Sequence, residues 1–358
     1  MKVLVVKLHA LGDLVIATPA LRRLRDGLPD ARIDLLTTSW CAPVLMNNPL
    51  IDRTVVIEND IFFKPRPNTV VPFLRLVHRL RREDYDSAVI FHRHRLVELF
   101  IRLAGIPRRF YFDGDNTHNS VHLDERRHSA LTAWELADLA VRELGGDRAA
   151  VPFLEDLKYE WHISPDEMES ADAILTSFGL TAGGFAVLLP GGGVNPNISN
   201  TERRWPVDRF VELAGRIEGE LGLRIVLAGA ENDREVADWM ESSSNRPLIN
   251  LCGMYDLRIT AAIFKRSGLI VCNDSGPLHI AAGVGAPVVG IFGPTSQKQK
   301  LPPGGTSVAA CRDIPCRPCY FSVFKGCIFD SIRCMEELTA EEVMSAVLTV
   351  RKNVKKSA

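Results

Sequence analysis

At 358 residues the chain is too long for one typical hydrophobic core and comfortable for two. Its 46% apolar and 24% charged residues suit a globular protein, and a net charge of -1 lacks the electrostatic footprint of a nucleic-acid binder. No stretch approaches the roughly 18 uninterrupted apolar residues of a membrane-spanning helix. Lys7, His9 and Asp13 also break the opening apolar run short of a signal sequence, so a cytoplasmic protein is expected.

The run 2–7 predicts a buried strand and the apolar spacing over 14–28 a helix, joined by a tight turn that Gly12 permits. Asp13 then lies at the carboxyl edge of the first strand, where the residues alone read it as a helix cap. Strands are expected at 33–37, 54–57 and 88–91, and helices at 43–46, 73–80 and 96–103. Such alternation implies an α/β fold with a parallel sheet covered on both faces. The strand ending at Phe91 runs into His92-Arg93-His94-Arg95, and arginine at a helix start opposes the dipole. Arg93 and Arg95 are therefore read as an acceptor site for phosphate or carboxylate. Asp113-Gly114-Asp115 reads as a turn rather than a metal-binding pair. A helix over 130–144 stops at Gly145-Gly146, and 147–162 reads as an aperiodic link between domains.

A second series begins with a helix at 165–178 and a strand at 186–189 that ends in Pro190-Gly191-Gly192-Gly193. Gly191 and Gly193 would let backbone amides approach a phosphate. The next strand, 224–228, leads to Glu231, with Asp233 as alternate, where an acid commonly bonds ribose hydroxyls. After a strand at 248–251, Met254 reads from its type as a core residue.

A buried strand at 269–272 meets Asn273-Asp274-Ser275-Gly276-Pro277, where Asp274 or Ser275 can cap a helix carrying the proline in its first turn. A strand at 288–292 follows. The helix start combines free amides, a positive dipole, Asp274, Ser275, Gly276 and His279, which suits a sugar bearing a phosphate. An ordinary, well-capped β-α-β crossover is the plain alternative.

Cys41, Cys252 and Cys272 sit in apolar surroundings and read as core. Cys316, Cys319, Cys327 and Cys334 have the spacing Cys-x2-Cys-x7-Cys-x6-Cys, which could close a structural zinc or iron site. Free thiols or a disulfide pair stay open, although a cytosolic setting disfavours stable disulfides. A helix over 339–350 and a frayed basic tail from 352 complete the chain.

Asp274-Ser-Gly-Pro-Leu-His279-Ile-Ala281 and Gly290-Ile-Phe-Gly-Pro-Thr295 resemble the signature of the ADP-heptose:lipopolysaccharide heptosyltransferases, an inverting family of GT-B glycosyltransferases. Lys7-Leu-His-Ala-Leu-Gly12-Asp13 with Thr18-Pro19, and Arg203-Arg204-Trp205-Pro206, look like further motifs of that family. The resemblance implies GT-B architecture: two Rossmann-like domains whose parallel sheets face a central cleft. Residues 1–160 would bind acceptor, 161–338 the nucleotide sugar, and 339–358 would form a helix crossing back to the first domain. It makes Asp13 the catalytic base, Arg203 the contact to the donor diphosphate, Glu231 the ribose ligand and Met254 the adenine contact.

The implied donor is ADP-L-glycero-D-manno-heptose and the implied acceptor the lipopolysaccharide inner core. An amphiphilic, anionic acceptor implies transient contact with the inner-membrane surface, without insertion. No cofactor is expected for catalysis, and no nucleic acid as partner. Some family members carry a similar cysteine-rich insert, which binds iron in certain relatives. A GT-B transferase for another nucleotide sugar and a non-catalytic nucleotide- or carbohydrate-binding protein are the alternatives.

Overall fold

The computed structural model describes residues 1–58, 60–63, 67–92, 94–113, 119–124, 126–192, 199–320 and 326–357. The chain divides into two compact units, Met1–His162 and Ile163–Ala358. In the first, strands β1 (Lys2–Val6), β2 (Arg32–Thr38), β3 (Arg53–Ile57), β4 (Ser87–Ile90), β5 (Arg108–Asp113) and β6 (Ser120–His122) form one parallel sheet. Their order is β3-β2-β1-β4-β5-β6. In the second, β7 (Phe185–Leu189), β8 (Arg224–Leu227), β9 (Ile249–Asn250), β10 (Leu269–Asn273), β11 (Val288–Ile291) and β12 (Ser307–Ala310) are again parallel. Their order, β12-β11-β10-β7-β8-β9, repeats the first.

Both sheets start at a central strand, wind out one way and then return to wind out the other. The direction reverses between β1 and β4 and between β7 and β10, and a doubly wound sheet opens its ligand crevice there, beyond the carboxyl ends of the strands. Register sets these ends level, with Val6 opposite Ile90 and Cys272 opposite Leu189. The central strands are covered on both faces, so β7 and β10 are buried at every residue. This is why they read as unbroken apolar runs rather than alternating ones.

Three expectations change in the structure. The helix over 14–28 is two helices, Leu11–Ile16 and Thr18–Gly27, separated at Ala17. Pro19 is tolerated in the first turn of the second but would clash with a carbonyl four residues back in a continuous helix. The last helix does not fray at 352 but runs over Ala340–Ser357, with Lys355 and Lys356 complementing the dipole of its final turn. Its buried Val343, Met344, Val347 and Val350 join the core of the second unit, against helix Val207–Leu221 and strands β11 and β12. The aperiodic stretch before His162 is tied to the first unit. There the Glu160 amide donates to Thr18 Oγ1 (3.0 Å), Arg22 grips the Glu160 carboxylate, and Tyr159 and Trp161 are buried.

Candidate active site

In the first unit, β1 delivers the chain through Lys7 and His9 into helix Leu11–Ile16. Ala10 occupies the N-cap and makes no side-chain bond, so Asp13 is no cap. It sits in the first turn, its side chain 41% exposed and 3.3 Å from Lys7 Nζ. Across the switch point, β4 delivers His92 and His94. The His9 and His92 rings meet edge to face at 4.6 Å, and His94 lies 6.3 Å from His92 between ring centres. Burial first, and the Lys7 charge second, lower His9 to about 4 and His92 to about 2. Both rings are therefore neutral near neutral pH, and Lys7 is the cation paired with Asp13. His94 caps helix Arg95–Leu103, its Nδ1 accepting from the Leu96 amide (3.3 Å). Of the expected acceptor cations, Arg93 lies outside the described residues and Arg95 is the first residue of that helix. Asp113 closes β5, whereas Gly114 and Asp115 lie outside the described residues.

In the second unit, the ends of β7 and β10 are joined by one buried amide. Asn273 Nδ2 donates to the carbonyls of Pro190 (3.1 Å) and Gly191 (2.9 Å), while its Oδ1 accepts from the Trp205 amide (3.0 Å). Trp205 is itself fully buried and donates its indole N–H to the Leu338 carbonyl (2.9 Å). The glycine turn is packed from both sides. A Cβ on Gly191 would lie 2.1 Å from Asp233 Oδ1, and one on Gly192, at φ +92°, 2.8 Å from Ser275 Oγ. Gly193 lies outside the described residues.

The two arginines before Trp205 have different surroundings. Arg204 turns inward, its Nε donating to the Gly192 carbonyl (2.8 Å) and its Nη2 meeting Asp233 Oδ1 (3.2 Å). Arg203 places Nη1 3.6 Å from Asp274 Oδ2 and its guanidinium carbon 4.2 Å over the Tyr320 ring. Both Arg203 Nε and Asp274 Oδ2 are buried without a hydrogen-bond partner among the described residues. His279 is buried on helix Gly276–Gly283. Ser275 holds the N-cap position, yet its hydroxyl donates to the Asn273 carbonyl (3.2 Å). No side-chain cap bond reaches the helix amides, so the first of them, from Gly276 on, remain an anion-binding end.

Farther along the same edge, Glu231 is 74% exposed, and a Cβ on Gly253 would lie 2.1 Å from its Oε2. Met254 is exposed beside it rather than in the core. Asp233, the alternate ribose acid, is instead buried as a loop brace for the amides of Gly192 (2.9 Å) and Ala230 (3.2 Å).

Sequence reasoning missed Asn273, Arg317 and Tyr320 as site-shaping residues. Arg317 donates to the carbonyls of Gly293, Thr295 (3.2 Å) and Arg312 (2.8 Å), and the amides of Cys319 and Tyr320 both reach Pro294 O at 3.0 Å. The cysteine-bearing segment is thereby laced to the loop after β11. An aromatic following a Cys-x2-Cys pair was the available signal, but no periodicity gives it a direction. The four cysteines line one small pocket with Ile314 and Ile332. Among the described residues, however, no group of three or more His, Cys, Asp or Glu side chains is arranged to hold a metal ion. Cys41, Cys252 and Cys272 are core thiols, burial pushing Cys41 up to about 11 and Cys252 up to about 12.

Comparison with solved structures places this fold. A glycosyl transferase family 9 structure from Veillonella parvula has a TM-score of 0.78 at 22% identity, covering 98% of this chain and 97% of that one. The structure of E. coli ADP-heptose lps heptosyltransferase II has a TM-score of 0.74 at 22% identity, covering 100% of both chains. At such identities the likeness is one of fold, and the fold is the GT-B architecture of paired Rossmann-like units. The chain belongs to glycosyltransferase family 9 (heptosyltransferase), whose family model matches residues 73–329. It is therefore an enzyme of the glycosyltransferase class. Lipopolysaccharide heptosyltransferase 2 of Salmonella typhimurium is 27% identical over 310 residues, 83% of this chain and 84% of that protein.

Proposed function

We propose that the protein transfers heptose from ADP-L-glycero-D-manno-heptose to the inner core of lipopolysaccharide, with inversion at the anomeric carbon. Support for the substrates comes from the names of its relatives, a lipopolysaccharide heptosyltransferase among them, and from the ADP-heptose enzyme that shares its fold. The observation that carries the donor assignment is Arg203, a largely buried guanidinium with an unspent Nε, beside a glycine turn and an uncapped helix start. In this reading Arg203, Gly191, Gly193 and the amides from Gly276 on hold the diphosphate, and Asp274, Ser275 and His279 orient the sugar. Glu231 takes the ribose and Met254 lies against adenine. Positive charge at that place stabilises the departing nucleoside diphosphate, and no cofactor is assigned a step.

Asp13 acts as the general base. It takes the proton from an acceptor hydroxyl, which attacks the anomeric carbon from the face opposite the diphosphate. Arg93 and Arg95 receive the acceptor's anionic groups, and the enzyme works peripherally at the inner membrane surface. The cysteine pocket takes no chemical step, and a structural zinc or iron there is tested by metal analysis of the purified protein.

The test is incubation with ADP-heptose and a core acceptor, scored by heptosylated product and ADP release. Asp13→Ala is expected to lower kcat by about 10²–10⁴-fold. Equal rates for wild type and variant would remove Asp13 from the mechanism, and release of a different nucleoside diphosphate from a donor panel would replace the donor.

A further inference from the structure

Two neighbouring helices of the first unit carry aliphatic side chains that core packing does not explain. Helix Val70–Glu83 buries Leu76, Val77 and Leu80, and helix Arg95–Leu103 buries Val97, Phe100 and Ile101, all in one core. The Phe73 and Phe100 rings, 5.3 Å apart, and the bond from Arg81 Nε to the Leu103 carbonyl (2.9 Å) hold the helices side by side. Their outer faces present Val70, Val71, Leu74, Leu96, Leu99 and Leu103, each between 42% and 57% exposed. Of the sixteen large hydrophobic side chains exposed among the described residues, these two helices hold six. Singly scattered apolar residues are ordinary on a surface, whereas such a concentration marks a binding face.

The surrounding charge says what it binds. Arg75, Arg79, Arg81, Arg82 and Arg102 are all exposed on the same two helices. Of the nearby carboxylates, Glu83 is paired with Arg53 (2.9 Å), Glu98 is half-buried, and Asp84 lies past the far end of the first helix. Aliphatic side chains flanked by arginine are the pattern of helices that lie in the plane of an anionic bilayer surface. No helix among the described residues is long and apolar enough to cross a membrane.

We propose that this face docks the enzyme on an anionic phospholipid bilayer, seating the Val/Leu stripe among the acyl-chain boundary and the arginines among the headgroup phosphates. Both helices start at the carboxyl edge of the first sheet, the edge that carries Asp13 and His94. Docking by this face therefore brings that edge to a lipid-borne acceptor. The inference deepens the acceptor reading above and rests on it for its purpose.

Flotation with vesicles of phosphatidylcholine alone, or with added phosphatidylglycerol, tests the surface, and transfer to a delipidated, water-soluble core acceptor is measured alongside. Wild type is expected to float with the anionic vesicles and not with the neutral ones. The double variants Leu74→Asp/Leu99→Asp and Arg75→Glu/Arg79→Glu are expected to lose more than about tenfold in partitioning while transferring to the soluble acceptor at the wild-type rate. Wild type that ignores anionic vesicles would overturn the proposal, as would either double variant binding like wild type. A change from dimer to monomer in the aliphatic variant would overturn it too, in favour of a second copy on this face. Anionic-vesicle binding without any transfer would support the surface and sink the acceptor reading instead.

Discussion

Arg203 and Tyr320 show how far the site depends on single contacts. Tyr320 is buried beneath the guanidinium, its hydroxyl donating to Asn200 Oδ1 (2.9 Å) and its amide to Pro294 O (3.0 Å). Stacking of this kind is worth about 0.5–2 kcal/mol, and a charge-assisted contact to phosphate about 1.5–3 kcal/mol. Arg203→Ala is therefore expected to raise the KM for donor by about 10- to 100-fold. Tyr320→Leu is expected to raise it by about three- to tenfold, whereas Tyr320→Phe keeps the ring and stays near wild type. Initial rates at varied donor concentration decide this. Equal effects of Leu and Phe at 320 would mean that stacking does not position Arg203. Arg204→Ala, by contrast, should appear mainly as lost stability, because its guanidinium is bonded to Gly192 and Asp233.

At the scale of elements, the strand ends matter more than the strands. The apolar runs identify β7 and β10 without ambiguity, but the site is shaped by the loops that leave them, and Asn273, at the end of β10, holds both the start and the far end of the connection that leaves β7. Asn273→Ala would leave the buried Trp205 amide without its acceptor and strip two carbonyls of a donor. The expected cost is about 1–3 kcal/mol in urea unfolding, with weakened donor binding. Asn273→Asp should not rescue it, since a carboxylate would face the Pro190 and Gly191 carbonyl oxygens. A stability equal to wild type for the Asp variant would show that the amide donors are dispensable. The same scale explains the misread helices. Periodicity carried the pattern through Ala17 although Pro19 interrupts it, and stopped at 350 although the basic residues beyond favour a helix C-terminus.

For the molecule as a whole, a net charge of -1 leaves no large self-repulsion, so the pH dependence of stability resides in particular groups. His9 and His92 are lowered from the ordinary 6.5 to about 4 and about 2. Below 6.5 the unfolded chain binds protons that the folded chain refuses, so stability falls as pH drops from that value towards the lowered ones. The bond from Arg258 holds the Glu167 carboxyl below its usual range, so that contribution is present above the ordinary carboxylate range and is lost at still lower pH. The acid limb should therefore begin near pH 6.5 rather than near 4.5. Urea midpoints at about pH 7.5 and about pH 5 measure it, and His92→Leu should flatten the difference. Identical wild-type midpoints would contradict the burial of neutral imidazoles.

From residues alone, the α/β class, the paired strand series and the places of Asp13, Asp274 and His279 at strand ends could be read. Each rests on local pattern: which positions along a short run are apolar, and where glycine or proline interrupts it. Tertiary structure alone decided that Arg204 is bonded inward to Gly192 and Asp233 while Arg203 keeps a buried Nε without a hydrogen-bond partner among the described residues, that Asp233 braces the glycine turn 41 residues before it, and that Tyr320 lies under Arg203. It also decided that six aliphatic side chains face solvent together among arginines. Those facts follow from the order in which parallel strands are laid down. Sheet order brings distant loops to one edge, and no periodicity within a segment encodes its neighbours there.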